Sequence, residues 1–219
     1  KNHYDYRTKY TAAIGRALAK EMDTHILSTI YAASQAAETI SGVTGRPTVT
    51  PAAGFATTAA TLIGGIFDAA AAMDAVNVPS DGRFCALRPA QYYMLAADTT
   101  LVQRVQKDYG QDYGKGEILE VAGFTLVKTN NLLSADSDLV ADSGSKNDVF
   151  GASGIGYNAD QSNLTALCFQ REAVGTVKMQ DLKLQSEYQL DRLAELIVAS
   201  YAVGHGVLRP ECAVDLSIA

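Results

Sequence analysis

Nucleophilic catalysis needs a serine or cysteine within hydrogen-bond reach of a base, and histidine is the usual base. The chain holds three histidines, His3, His25 and His205. His3 lies among the first residues, His25 falls inside a helical pattern, and His205 sits between Gly204 and Gly206. Such placements suit packing or hydrogen-bonding side chains better than a general base. The string Gly151 to Ile155 has the outline of a GxSxG elbow, but Ile155 stands where the second glycine is required. Phosphate cradles fail similarly. A P-loop opening at Gly42 would meet Pro47 and Thr48 where it needs Gly-Lys, and Gly151, Gly154 and Gly156 are in the wrong order for GxGxxG. Asp136, Asp138 and Asp142 begin like a calcium loop, but Val140, Ala141 and Asn147 replace a ligand, the glycine and the bidentate glutamate. Glu117 and Glu120 have the look of ordinary surface charge when no cleft accompanies them.

Cys85, Cys168 and Cys212 are far apart, in apolar company and without CxxC spacing, so they read as buried thiols in a reduced compartment and not as zinc ligands. No catalytic, metal or cofactor site is expected. Eighteen Lys and Arg against 24 Asp and Glu give a formal charge of -6, which provides no overall basic field for tight phosphate-backbone binding. Arg7, Lys9, Arg16 and Lys20 form a local basic cluster that reads as the solvated side of a helix. The apolar windows are short and interrupted by Asp68 and Asp74, so none spans a bilayer. At 219 residues with 47% hydrophobic content, the chain can bury a sizeable core.

Several elements must carry whatever function exists. From Tyr6 to Glu38 the residues Ile14, Leu18, Met22, Ile26 and Ile30 recur every four positions, the mark of one long amphipathic helix of roughly 45 Å. Ser41 to Gly54 reads as a linker. A second helix is expected from Thr57 to Val76, with Leu62, Ile66, Phe67, Ala70 and Met73 as a packing stripe. Gly64 and Gly65 inside it predict a close neighbour. A turn at Pro79 to Gly82 leads to a buried strand, Arg83 to Leu87, and Pro89 opens a short helix from Ala90 to Ala97. Tyr109 to Gly116 reads as a loop. Glu117 to Val121 and Phe124 to Thr129 form a hairpin joined by Ala122 and Gly123. Asn130 to Asn163 is a polar, glycine-rich surface excursion. The last third has strand character in Leu164 to Phe169, Thr176 to Leu184, Glu195 to Val203 and Val207 to Leu216, although Asp191 to Ser200 also fits a short helix. Helices first and strands last favour an α+β fold over a Rossmann-like alternation.

The C-terminal third reads AVGTVKMQDLKLQSEYQLDRLAELIVASYAVGHGVLRPECAVDL. It closely resembles the ending of major capsid proteins from podoviruses of the T-seven type. The match lies in AVGTVK (Ala173 to Lys178, including Gly175 and Lys178), in Asp181 with Leu182, and in YAxGHGxLRPE, carried here by Tyr201, Gly204, His205, Gly206, Arg209, Pro210 and Glu211. Weaker likeness extends upstream through NHYDYRTKYTAAIGRALA and VPSDGRFCALRPAQYYMLAAD.

The resemblance implies the Hong Kong 97 capsid fold, with a long spine helix, a peripheral domain and an axial domain. Residues 1–55 would supply the spine helix and linker, 56–172 mostly the axial domain, and 173–219 the C-terminal strands returning between the two. It implies a structural subunit, not an enzyme, that forms pentamers and hexamers with scaffolding protein around a portal, made in the host cytoplasm and ending in the virion. A cement or decoration protein would be a further partner. Double-stranded DNA would be enclosed without sequence-specific binding, and no membrane is involved. In that family an arm and an extended loop precede the spine helix, and they are expected to lie outside this sequence. The signature itself reads as a shaped strand: glycines for close approach or positive φ beside His205, Pro210 favouring extended backbone at Arg209, and Arg209 able to pair with Glu211. A hydrolase using His205 with a serine between Ser143 and Ser153, and a generic oligomeric binding module, are the competing readings.

Overall fold

Alternation fails in Leu164–Gln170, where LTALCFQ is apolar almost throughout, and in the computed structural model nearly every residue of this strand is buried. That is the signature of a strand covered on both faces. The structure describes residues 6–36, 47–98, 120–132 and 163–217. The loop read at Tyr109 to Gly116, Glu117, His3 and nearly all of the excursion Asn130 to Asn163 lie outside them.

Three helices are described: α1 (Tyr6–Gln35), α2 (Ala59–Ala75) and α3 (Pro89–Ala96). Seven strands follow the numbering β1 (Arg83–Leu87), β2 (Glu120–Val121), β3 (Phe124–Lys128), β4 (Leu164–Gln170), β5 (Val174–Gln189), β6 (Ala194–Val207) and β7 (Ala213–Ser217). A five-stranded sheet runs β2-β3-β1-β4-β7, and β5 with β6 makes a separate two-stranded ribbon. The β1–β3 pair is parallel, because the chain leaves β1 through α3 before returning, while the other pairs are antiparallel.

Leu62, Gly65, Ile66, Ala69 and Met73 form the buried stripe of α2, which packs against α3, β2 and β7. Phe67 was expected in that stripe but is 56% exposed, since one residue beyond Ile66 turns it about 100° away from the core. Of the two glycines, Gly65 lies under Leu216, whose Cδ1 would sit 3.5 Å from an added Cβ, whereas Gly64 has no neighbour there. Pro89 occupies the first turn of α3, where its missing N–H costs nothing. Ala122 and Gly123 join β2 to β3 with φ of 53° and 79°, as a type I′ turn requires.

Only the second half of α1 enters the core. Ile30 and Ala33 are buried beside Thr24, Ser28, Thr29 and Ser34, while Thr8 to Lys20 is exposed or at most half-buried. A spacing of four drifts around a helix of 3.6 residues per turn, so Ile14 and Leu18 leave the face that Ile30 buries. The buried hydroxyls bond backward along the helix, Thr24 to the Lys20 carbonyl at 2.9 Å and Thr29 to that of His25 at 2.8 Å. Among the described residues no helix is long and apolar enough to cross a membrane.

Candidate functional site

The signature residues gather where the ribbon meets the sheet. Antiparallel register sets Gly175 opposite Gly206, Thr176 opposite His205, Val177 opposite Gly204 and Lys178 opposite Val203. Thr176 Oγ1 and His205 Nδ1 are 2.9 Å apart, a bond that clamps this register. His205 is 8% exposed. Beside it α1 contributes His25, whose Nε2 lies 3.2 Å from Glu21 Oε1. Burial, followed by the charge of His25, pushes the His205 pKa below its ordinary 6.5.

A depressed histidine pKa means that the unfolded chain binds the proton first. The stabilising contribution is therefore complete above about 6.5 and is lost as pH falls from there through the folded-state value. Denaturant midpoints measured between pH 7.5 and 5 should fall, and His205→Gln should remove part of that slope while lowering the midpoint at pH 7.5. An unchanged slope in the variant would assign the pH dependence to other groups.

Lys178 pairs with Asp181, which raises the Lys178 pKa, and its ammonium stands 5.8 Å from the centre of the Tyr201 ring. Arg209 holds two carboxylates, Glu211 through Nε at 2.8 Å and Glu172 through Nη1 at 2.5 Å. Those bonds, Glu211 first, raise its pKa and keep the guanidinium charged. The Arg209–Glu211 pair follows from sequence proximity. Glu172 joins only because β5 and β6 bring residue 172 back beside residue 209. The Ala173 carbonyl receives the Leu208 N–H at 3.0 Å, closing the base of the ribbon.

Two expectations change here. Val207 to Leu216 does not form one strand: Pro210–Cys212 makes a 3-10 turn between β6 and β7, closed by the Cys212 N–H to the Arg209 carbonyl at 3.1 Å. Pro210 lacks an N–H and fixes φ, so the ladder stops and the chain passes from the ribbon to the sheet. Arg209 is extended as expected, with φ of -132° and ψ of 98°. Gly204 and Gly206, by contrast, have neither positive φ nor any atom within 4 Å of an added Cβ. Close approach belongs to Gly175, where Leu208 Cδ1 would lie 2.8 Å from a Cβ.

The two strands of the ribbon run further than the residue pattern predicts. β5 runs to Gln189 and β6 begins at Ala194, joined by a tight turn with Leu193 at φ 48°, so the helical alternative for Asp191 to Ser200 is wrong. Beyond the signature, the ribbon exposes Leu184, Tyr188, Leu190, Leu193, Leu196 and Val198, each more than 40% accessible. The signal available was apolar residues at both parities of one strand pair. An apolar cavity of about 480 Å³ lies between α1 and the ribbon, lined by Leu18, Met22, Val177, Met179 and Tyr201 among others. Among the described residues, no cluster of His, Cys, Asp and Glu suits a metal ion. The Asp136, Asp138 and Asp142 loop and the Gly151 to Gly156 string lie outside them.

The family model described as Gp10A-like major capsid protein matches residues 1–217. The chain belongs to this family. The major capsid protein of Escherichia phage T7 is 33% identical over 229 residues, covering 97% of this chain and 65% of that protein. The minor capsid protein of the same phage is also 33% identical, with 97% of this chain and 56% of that protein covered. A solved structure titled "Capsid structure of the Cyanophage P-SCSP1u" superposes with a TM-score of 0.78 at 33% identity, covering all of this chain and 67% of that one. The capsid-family chain thus spans between about half and two thirds of the length of the relatives it matches. The fold expected from the resemblance, α+β of the phage-capsid type, is the one observed.

Proposed function

We propose that this chain is the structural subunit of an icosahedral bacteriophage shell, assembling into pentamers and hexamers that enclose double-stranded DNA, and that it performs no catalysis. The observation that carries the reading is the capsid-family match running through residues 1–217. The ribbon supports it physically. A two-stranded hairpin is marginal in water by itself, and large apolar residues exposed along one mark surfaces that other chains cover. Neighbouring copies are the cover that a symmetric shell supplies, through head-to-tail contacts that close into rings.

On this reading the signature residues Gly175, Lys178, Asp181, Tyr201, Gly204, His205, Gly206, Arg209, Pro210 and Glu211 are structural, shaping the root of the ribbon. Residues 1–55 form the spine helix and linker of a peripheral domain, 56–172 mostly an axial domain, and 173–219 the strands between them. Scaffolding protein, a portal and a cement or decoration protein are the further partners, and the finished subunit resides in the virion after synthesis in the host cytoplasm. The acidic balance of -6 fits DNA held by enclosure and not by tight contact.

Co-expression of the full-length chain with its scaffolding protein, followed by negative-stain microscopy, should show closed shells built from rings of five and six. Monomers under every assembly condition, or turnover of an ester or peptide substrate that disappears with His205→Ala, would favour the competing readings.

A further inference from the structure

Cys85 and Cys168 lie directly opposite each other on the adjacent antiparallel strands β1 and β4. Their sulfurs are 3.4 Å apart in a thiol–thiol hydrogen bond, and neither residue has any solvent exposure. We propose that Cys85 and Cys168 are a latent cross-strand disulfide, a site at which oxidation staples the centre of the five-stranded sheet. Directly paired antiparallel residues have Cα atoms about 4.5 or 5.5 Å apart, and both values fall within the disulfide range of about 4.4–6.8 Å. The strands therefore need no rearrangement, and bond formation requires the sulfurs to approach by rotation about the Cα–Cβ bonds.

The chemistry balances as thiol–disulfide exchange with a small-molecule disulfide such as oxidised glutathione. One cysteine thiolate attacks the oxidant, forming a mixed disulfide and releasing one small thiol. The second cysteine, giving up its proton, displaces the other small thiol and completes the Cys85–Cys168 bond. The protein loses two protons and two electrons, and the oxidant is reduced to two thiols. The reduced pair is stable meanwhile: the hydrogen bond to Cys85, then burial, holds the Cys168 proton well above the ordinary thiol range. Exchange therefore waits on local opening of the β1–β4 pair at the centre of the sheet.

Closure has a structural consequence because residues 86–167 lie inside the loop it would form, including β3 and the crossover from β1. Cross-linking so long a loop removes conformational entropy from the unfolded chain. Cys212 is an internal control, fully buried and with its thiol pushed up to about 11 by burial.

The test uses the full-length chain purified under reducing conditions, then held in oxidised glutathione at pH 8 without denaturant. Acid quenching, alkylation in urea and peptide mass spectrometry should reveal a linked Cys85–Cys168 peptide with Cys212 alkylated. Tm should rise by roughly 5–10 °C and return to its starting value on reduction. Cys212→Ser should keep both effects, and Cys85→Ser should lose both. Free alkylation of all three cysteines after oxidation, a link involving Cys212, or a linked sheet with unchanged or lower Tm would each overturn the proposal. The site does not depend on the shell reading, so the two fail separately.

Discussion

Replacing Leu184 and Tyr188 together by aspartate should leave the subunit folded and abolish shell formation. Both side chains are more than half exposed, 54% and 58%, and both stand on the same face of the ribbon, two pairs of residues apart along β5. Exposed positions away from special backbone features usually change stability by about 0.5 kcal/mol or less. Circular dichroism and the denaturant midpoint of the isolated chain should therefore barely move. Assembly is different, because in the proposed shell a neighbouring copy would desolvate that face. An unpaired carboxylate trapped in a contact costs several kcal/mol, and about 1.4 kcal/mol is tenfold in association. Two such charges in every copy weaken each contact by roughly a thousandfold or more. Microscopy and sedimentation of the co-expressed material provide the readout. Shells at normal yield from the doubly substituted chain would show that this face of the ribbon stays in solvent.

The second large effect concerns Arg83, 4% exposed at the start of β1. Its Nη2 donates to Asp74 Oδ1 and to the Val78 carbonyl, both at 2.6 Å, and Nε donates to the Pro79 carbonyl at 3.0 Å. The guanidinium also stands 5.9 Å from the centre of the buried Phe124 ring. Arg83→Met should destabilise the chain by about 3 kcal/mol, since charged hydrogen bonds contribute about 1.5–3 kcal/mol each and are not additive. Asp74 is 66% exposed, so Asp74→Ala should cost under about 1 kcal/mol. Chemical denaturation of both variants separates two explanations. Equal losses would place the effect in the ion pair, whereas a much larger loss for Arg83→Met places it in the two carbonyls that close the turn before β1.

That turn illustrates what was legible. Pro79 to Gly82 announced it through residue chemistry, and Gly82 does adopt φ 70°. The helices α1, α2 and α3, the Ala122–Gly123 turn and the apolar strand β4 were equally plain, because each is governed by neighbours within a few positions. The residue pattern marks Arg83 only as the first residue of a strand. Its burial depends on the carbonyls of Val78 and Pro79 turning inward and on Phe124 arriving from another strand, and no local pattern encodes that.

The signature divides in the same way. Its residue types were enough to name the family, and proximity alone suggested the Arg209–Glu211 pair. Glu172 as the second partner of Arg209, Thr176 as the partner of His205 and Leu208 over Gly175 all follow from the β5–β6 register. Register is decided along the whole ribbon at once, and periodicity describes one strand without naming its partner.

By itself, then, the sequence determined the helices and the earlier strands, the α+β class, the absence of recognisable catalytic motifs and membership in a capsid family. Tertiary structure alone decided that half of α1 is left uncovered, that the last strands divide between a sheet and an exposed ribbon at Pro210, and that Cys85 meets Cys168. The physical reason is range: backbone preferences and hydrophobic period act over a few residues, whereas burial, strand pairing and side-chain meeting require segments far apart in the chain to share one space.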